Sequence, residues 1–374
     1  MKINENLNRN ILLISYSKLE YDGRLRVLVE LAMGLGNVIC ISRSEQIDYN
    51  KDKHKCKYYI FKYKGIFSYI VFCAYCIAIA RKLESSDVII ADNRKAILPT
   101  WIIKTIKKAK ISVYDARELY IFKEVKNING KLGCIIELLF NKSFDIILAA
   151  NEERANFMLQ YYNLAQKPLV FPNIRKLAYD YMFCEEETRE KYVNDFKEKW
   201  KLAITDGCSV ARGFNNLIKI MPQLGEDFCL YVLGKSSNAD LKWTRQVIEK
   251  EHITNIKIIG LVDHNELKWI LEHCDIGIVS YSNKDLNNIY CASGKIYEFI
   301  FEGIPIVTTS NPPLASFCYQ HGVGESGDDY FASIKKIISN YKWYKNNVLS
   351  FNVDINSYVV KIKKTINQKC IDIK

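Results

Sequence analysis

The sequence predicts an α/β protein of two Rossmann-like, doubly wound parallel-sheet domains facing a cleft. Three observations carry that prediction. Short apolar, β-branched runs alternate with stretches of helical periodicity along the whole 374 residues. The strand runs are apolar throughout instead of alternating, as expected of strands covered on both faces. The pattern breaks once, between Pro172 and Lys201, where Cys184–Trp200 (CEEETREKYVNDFKEKW) is strongly charged. The length suits two domains at about 150 residues each.

In the first half the expected strands are Ile11–Tyr16, Val38–Ser42, Tyr58–Tyr63, Val88–Ala91, Ile111–Tyr114, Ile146–Ala149 and Leu169–Phe171. Between them Arg24–Leu35, Ile97–Lys107 and Glu152–Tyr162 carry apolar residues three and four apart, the helical spacing. In the second half the strands are Leu202–Thr205, Leu230–Leu233, Ile256–Ile259, Ile276–Ser280 and Ile306–Thr308. The helices there are Phe214–Met221, Leu241–Glu251, Glu266–His273, Lys295–Glu302 and Tyr330–Ser339. The expected organisation is a first domain over 1–172, a linker over 173–200 and a second domain over 201–350. A C-terminal helix over 351–374 then packs back toward the first domain.

Composition narrows the function classes. Hydrophobic residues at 49% and charged residues at 25% exclude a disordered chain, and 17 Gly with 7 Pro exclude a collagen-like one. Twelve Cys are too few for a disulfide scaffold, and Met1–Asn10 is polar, so free thiols in a reducing cytoplasm are expected. Residues 51–150 hold 19 Lys and Arg against 9 Asp and Glu, nearly all of the net +11. Lys51, Lys53, Lys55 and Lys57 form one cluster; Lys104, Lys107, Lys108 and Lys110 form another. Such asymmetry suits an anionic membrane surface, or simply a solvated lysine-rich face. No zinc-finger spacing, basic zipper or aromatic RNA-binding signature accompanies it, so nucleic acid is not expected. The longest weakly polar run, Gly65–Ala80, is shorter than the roughly 18–20 residues of a membrane span. With Lys62, Lys64, Arg81 and Lys82 at its flanks it reads as a core helix, or as a helix lying at a membrane interface. The C-x-x-C of Cys73 and Cys76 within it reads as core filling.

Ligands of doubly wound sheets bind beyond the carboxyl ends of the strands. After the first strand stand Asp22, Gly23 and Arg24, where Gly23 lets the backbone approach a ligand and the helix start favours an anion. Read alone, Asp22-Gly23 is also an ordinary turn. Neither G-x-G-x-x-G nor a P-loop is present. Later, Cys291-Ala292-Ser293-Gly294 opens a helix with Lys295 and Glu298 in its first turn. Loop N–H groups and Lys295 can hold a diphosphate, and Glu298 on the same face can accept from ribose hydroxyls. The same two residues also form an ordinary surface ion pair.

The segment Asn287–Val307 resembles the P-N-K-x-x-E-Y-x-x-x-G-x-P-V signature of GT-B-fold, group 1 (family 4-like) nucleotide-sugar glycosyltransferases. Val88–Asn93 (VIIADN) with Leu98-Pro99 is similar to the family's D-V-V-H-A-H-D…L-P segment, and Val113–Tyr120 (VYDARELY) to V-Y-D-S-H-E-L-Y. Ile146–Glu152 is similar to A-D-x-V-I-x-V-S-E, and Phe171-Pro172-Asn173 to I-P-N. Ile258–Val262 with Glu266–Ile278 is similar to F-x-G-x-V…E-L…A-D-I-G-L. The resemblance implies transfer of a hexosyl or deoxyhexosyl group, with retention favoured, from a nucleotide-diphosphate donor bound mainly to the second domain. Gly23, Arg24, Arg212, Gly213, Ser293, Gly294, Lys295 and Glu298 are the implied donor contacts. The implied acceptor is a saccharide or lipid-linked saccharide used in bacterial surface polysaccharide synthesis at the inner face of the cell membrane. No cofactor and no metal are implied, because side-chain cations and a helix N-terminus neutralise the leaving diphosphate. The chain accordingly has no Asp-x-Asp.

Three positions depart from the family pattern. Arg117 stands where the family has a catalytic His, and an arginine cannot act as a base. Asp115, Glu118 and Asp22 are the remaining candidates for that role, or the leaving phosphate takes the proton. Cys208 replaces the first cation of G-R-x-x-x-x-x-K-G, of which Arg212 keeps the second, and Tyr290 replaces the first Glu of E-x7-E. These departures leave a second reading, a non-catalytic GT-B partner or chaperone subunit, and a third, a nucleotide-sugar epimerase on the same fold. His321, in His321-Gly322-Val323-Gly324, resembles a family loop that faces the donor.

Overall fold

The computed structural model describes residues 9–19, 22–43, 56–174, 176–179 and 183–372. It divides into two compact units. The described residues up to Asn173, together with those from Asp354 on, form the first, and Ile174–Val353 forms the second.

The first unit runs β1 (Asn10–Lys18), α1 (Gly23–Met33), β2 (Asn37–Arg43), β3 (Cys56–Phe61), α2 (Ser68–Arg81), β4 (Val88–Asp92) and α3 (Ile97–Lys107). It continues through β5 (Ile111–Ala116), α4 (Ile128–Phe140), β6 (Ile146–Ala149), α5 (Glu152–Tyr161) and β7 (Leu169–Val170). Its seven strands form one sheet in the order β3-β2-β1-β4-β5-β6-β7, every pair parallel. The order reverses between β1 and β4, which makes their carboxyl ends the switch point. Register there is strict: Ser15 lies opposite Asp92, and Asp92 opposite Asp115, so three polar residues share one row.

The second unit runs α6 (Glu185–Lys191), β8 (Trp200–Ile204), α7 (Phe214–Leu224), β9 (Phe228–Leu233), α8 (Asn238–Lys250), β10 (Ile256–Gly260) and α9 (His264–Glu272). Next come β11 (Ile276–Val279), α10 (Leu286–Ile289), α11 (Lys295–Phe301), β12 (Ile306–Thr308) and α12 (Pro312–His321). It closes with β13 (Gly324–Ser326), α13 (Tyr330–Ser339) and α14 (Tyr341–Ser350). The six strands are parallel in the order β10-β9-β8-β11-β12-β13. The last helix, α15 (Ile355–Asp372), buries Ile362, Ile366 and Cys370 among Leu25, Leu28, Leu13 and Val113 in the core of the first unit.

Several expectations change. Residues 173–200 are not a free linker, because Leu177 and Tyr192 are buried in the second unit's core beside Trp269 and Ile270. Gly65–Ala80 is not simply a core helix: α2 buries Phe72, Cys73 and Cys76 but leaves Phe67 and Ile70 exposed. Burial pushes the Cys73 thiol up to about 11, which suits a packing role. Lys51, Lys53 and Lys55 lie outside the described residues, and Lys57 is exposed on β3. Among the described residues no helix is long and apolar enough to cross a membrane.

One contact sets the position of α11. Phe299 packs flat against Gly277 of β11, where an added Cβ would lie 2.4 Å from the ring. Only glycine allows that approach. Gly277→Ala should therefore destabilise the second unit by about 1–3 kcal/mol, the usual range for overpacking a core. A denaturant midpoint equal to that of the wild type would contradict this.

Candidate functional site

At the carboxyl edge of the first sheet the polar row becomes a charge lattice. Asp22 caps α1 by accepting from the Leu25 N–H at 3.0 Å, which brings Gly23 and Arg24 into the first helical turn. Arg24 is buried, and its Nε and Nη2 donate to the two Asp115 oxygens at 2.9 and 2.7 Å. Its Nη1 donates to the carbonyl oxygens of Phe171 and Pro172 at 2.5 and 2.8 Å, and the guanidinium lies 4.0 Å from the Phe171 ring centre. Arg117 reaches Asp22 and Asp92, with Asp115 at 3.8 Å. Burial opposes its charge, but Asp92, Asp22 and Asp115 outweigh that and hold Arg117 protonated more firmly than an ordinary arginine.

This lattice overturns part of the expectation. Arg24 spends its fork on Asp115 and on two carbonyls, so it braces β5 against the chain after β7 instead of facing a phosphate. Asp115 is fully buried with both oxygens engaged, and Asp22 is held by Arg117 and the helix cap, so neither is placed to take a proton from an acceptor. Glu118 is the accessible carboxylate of the group, with Arg154 at 3.6 Å. Sequence reasoning missed Asp92 as a site residue, although it ends the strand in VIIADN. Its carboxyl is pushed up to about 6, chiefly by burial, with Asp115 and Asp22 adding and Arg117 and Ser15 opposing.

The second unit has a different balance. A cavity of about 440 Å³ opens at the carboxyl ends of β8 and β9, lined by Thr205, Asp206, Ser209, Arg212, Lys235, Ser236, Ser237, Asp240 and Lys295. Arg212 ends a short 3-10 turn over Val210–Arg212, and Gly213 at φ 90° lets the chain swing directly into α7. Lys295 is the first residue of α11. Both cations donate to the same oxygen of Asp206, which is nearly fully buried, while its Oδ2 has no hydrogen-bond partner. Burial pulls the Lys295 ammonium below the usual lysine range, Asp206 opposes that, Arg212 adds to it, and Glu298 opposes it. The turn before Lys235 depends on Gly234 at φ 96°, where a Cβ would lie 2.5 Å from the carbonyl oxygen of Thr205.

Two of the expected donor residues, Arg212 and Lys295, thus meet in one cavity, with Gly213 directly behind Arg212 and the buried Ser293 with Gly294 leading into Lys295. Glu298 is buried one turn beyond Lys295 and does not line the cavity. Cys208 points into the core beside Leu202 and Ile204, so its position supplies no polar side chain to the cavity. His321 ends α12 against Phe317 and Phe351, also away from it. Asp206, Lys235 and Ser236 were missed because each sits in a turn without a distinctive motif. Their one signal was position, directly after a strand. Among the described residues no group of three or more His, Cys, Asp or Glu is arranged to hold a metal ion.

Two pH measurements test these assignments. The fold prefers Asp92 neutral, so its favourable contribution is complete below the unfolded value of 3.8 and is lost as pH rises through about 6. Asp92→Asn, neutral at every pH, should gain on the wild type between those values by at most about 3 kcal/mol. Parallel stability curves for the two proteins would contradict this. In the second unit, Asp206→Asn removes a charge that raises the Lys295 pKa. Pyrophosphate binding by that variant should therefore fade at lower pH than in the wild type, and an unshifted alkaline limb in calorimetric titrations would refute the pairing.

No family model matches the chain, and no curated protein sequence matches it either. Solved structures do. HepE of Anabaena, in complex with UDP and glucose, is 14% identical with a TM-score of 0.73, covering 96% of this chain and 100% of that one. Sucrose-phosphate synthase from Thermosynechococcus elongatus is 13% identical with a TM-score of 0.71, covering 96% and 98%. WaaG, a glycosyltransferase involved in lipopolysaccharide biosynthesis, is 14% identical with a TM-score of 0.65, covering 95% and 99%. Two all-parallel α/β units, with these structures covering nearly the whole chain, give this chain the GT-B fold.

Proposed function

We propose that the protein is a glycosyltransferase that takes a hexosyl or deoxyhexosyl group from a nucleoside diphosphate sugar. The observation that carries this reading is the cavity lined by Arg212, Lys235 and Lys295, in which Arg212 and Lys295 share the buried carboxylate of Asp206. A diphosphate entering there meets more positive than negative charge in a partly dry site, where such contacts are strong. The solved complexes of HepE with UDP and with glucose support a nucleotide sugar as the ligand class. As the bond from the anomeric carbon to the diphosphate breaks, negative charge grows on the leaving oxygen, and Arg212 and Lys295 stabilise it. The acceptor hydroxyl forms the new bond, and its proton passes to the leaving diphosphate, since Arg117 cannot take it, Asp22 and Asp115 are engaged, and Glu118 is turned to Arg154. That route favours retention and uses no metal. The acceptor we propose is a lipid-linked saccharide of bacterial surface polysaccharide synthesis, at the inner face of the membrane, where the basic excess of residues 51–150 meets anionic lipid.

A second reading, a GT-B partner subunit that binds nucleotide without transferring sugar, is favoured by one observation. The lattice around Arg117 leaves no free base at the family's catalytic position. Turnover decides between the two. Arg212→Ala and Lys295→Ala should each lower kcat about 10²–10³-fold, the scale of removing one oxyanion donor. EDTA should leave the wild-type rate unchanged. Nucleotide binding without turnover would support the partner subunit, and recovery of an EDTA-quenched rate with Mg²⁺ would overturn the metal-free route.

A further inference from the structure

The outward face of a helix that covers a sheet normally meets water and is polar. Two helices of the first unit reverse this. α4 turns Cys134 and Glu137 inward, with Glu137 accepting from the Tyr114 hydroxyl at 2.6 Å. Its outward stripe is Ile128, Leu132, Ile135 and Leu139, spaced four, three and four residues apart, with Ile128 at 84% and Leu139 at 68% exposure. At the start of α2, Ile66 is 98% exposed, with Phe67 at 64% and Ile70 at 66%. α3 packs between the two helices, so both stripes belong to one layer. Their N-terminal ends are tied together through polar contacts. The Tyr16 hydroxyl meets Ser68 Oγ at 2.7 Å, Lys95 lies 4.4 Å from the Tyr16 ring centre, and Arg94 donates to the Gly130 carbonyl at 3.1 Å.

Charge identifies the occupant. The segment before and along α4 carries Lys123, Lys126 and Lys131 against Glu124 and the buried Glu137. Lys62 and Lys64 precede the stripe on α2. A second copy of the chain is a poor partner, because a two-fold contact would set these lysines against themselves. We infer that the outward faces of α2 and α4 form a docking surface for an anionic bilayer, the apolar stripes entering the headgroup boundary and the lysines meeting lipid phosphates. The helix N-termini lie at the carboxyl end of the strands, so the surface borders the edge that holds Asp22, Asp92 and Arg117. A lipid-borne acceptor would be delivered at that edge. This step rests on the lipid-linked acceptor proposed above.

Vesicle co-sedimentation of the full chain tests it, with UDP affinity measured on the same preparations. The wild type should bind phosphatidylcholine vesicles that contain phosphatidylglycerol, weakly bind those that do not, and lose binding as salt rises. The Leu132→Asp/Leu139→Asp variant, altered only at exposed positions, should bind at least about tenfold more weakly with its melting temperature and UDP affinity unchanged. Equal vesicle binding by the variant, or none by the wild type, would overturn the docking surface. So would a wild-type dimer that this variant converts to monomer. If vesicles bind as expected and UDP does not, the docking surface stands and the transferase reading fails instead.

Discussion

The constraint on which the structure depends is the burial of charge at the carboxyl edges of two parallel sheets. A carboxylate removed from water there must be matched by a cation or lose its proton. In the first unit Asp22, Asp92 and Asp115 face two guanidiniums, those of Arg24 and Arg117, and Asp92, raised chiefly by its burial and further by the two other carboxylates, is the acid left nearest to neutrality. In the second unit one buried Asp206 faces both Arg212 and Lys295, and the excess there is positive. The same device thus gives opposite results. The first edge has matched its cations to its own carboxylates, while the second keeps a positive excess, the basis of the diphosphate site proposed above.

The architecture was legible because parallel, doubly covered strands leave an unmistakable mark: runs such as Val88-Ile-Ile-Ala91 and Ile276–Val279 are apolar at every position. β13 was not legible, since Gly324–Ser326 has no strand character of its own and exists through its pairing with β12. The site was half legible. Arg212 and Lys295 follow recognisable family segments, but nothing in the sequence reveals that both converge on Asp206, because 89 residues separate Asp206 from Lys295. Arg24 was misread for a related reason. A basic residue at a helix start suggests an anion, and only the fold shows that the anion is Asp115 of its own sheet.

α4 shows where periodicity misleads. Its apolar residues occur at helical spacing on the face away from the sheet, while the inward face carries Gly130, Gly133, Cys134 and Glu137. A pattern reader looking for a buried stripe finds one on the wrong side. Such an inversion costs solubility, and an exposed apolar stripe of this kind marks an interaction surface. The lysines around it suit the anionic bilayer proposed above.

The central claim is that the second unit, not the first, receives the diphosphate. Hydrogen–deuterium exchange with and without UDP tests it most directly, because amide protection reports the bound segment without assuming any residue's role. The account predicts slowed exchange in the turns after β8 and β9 and in the loop that enters α11, with the amides around Asp22 and Arg117 unchanged. Protection confined to the segments around Asp22 and Arg117 would contradict it.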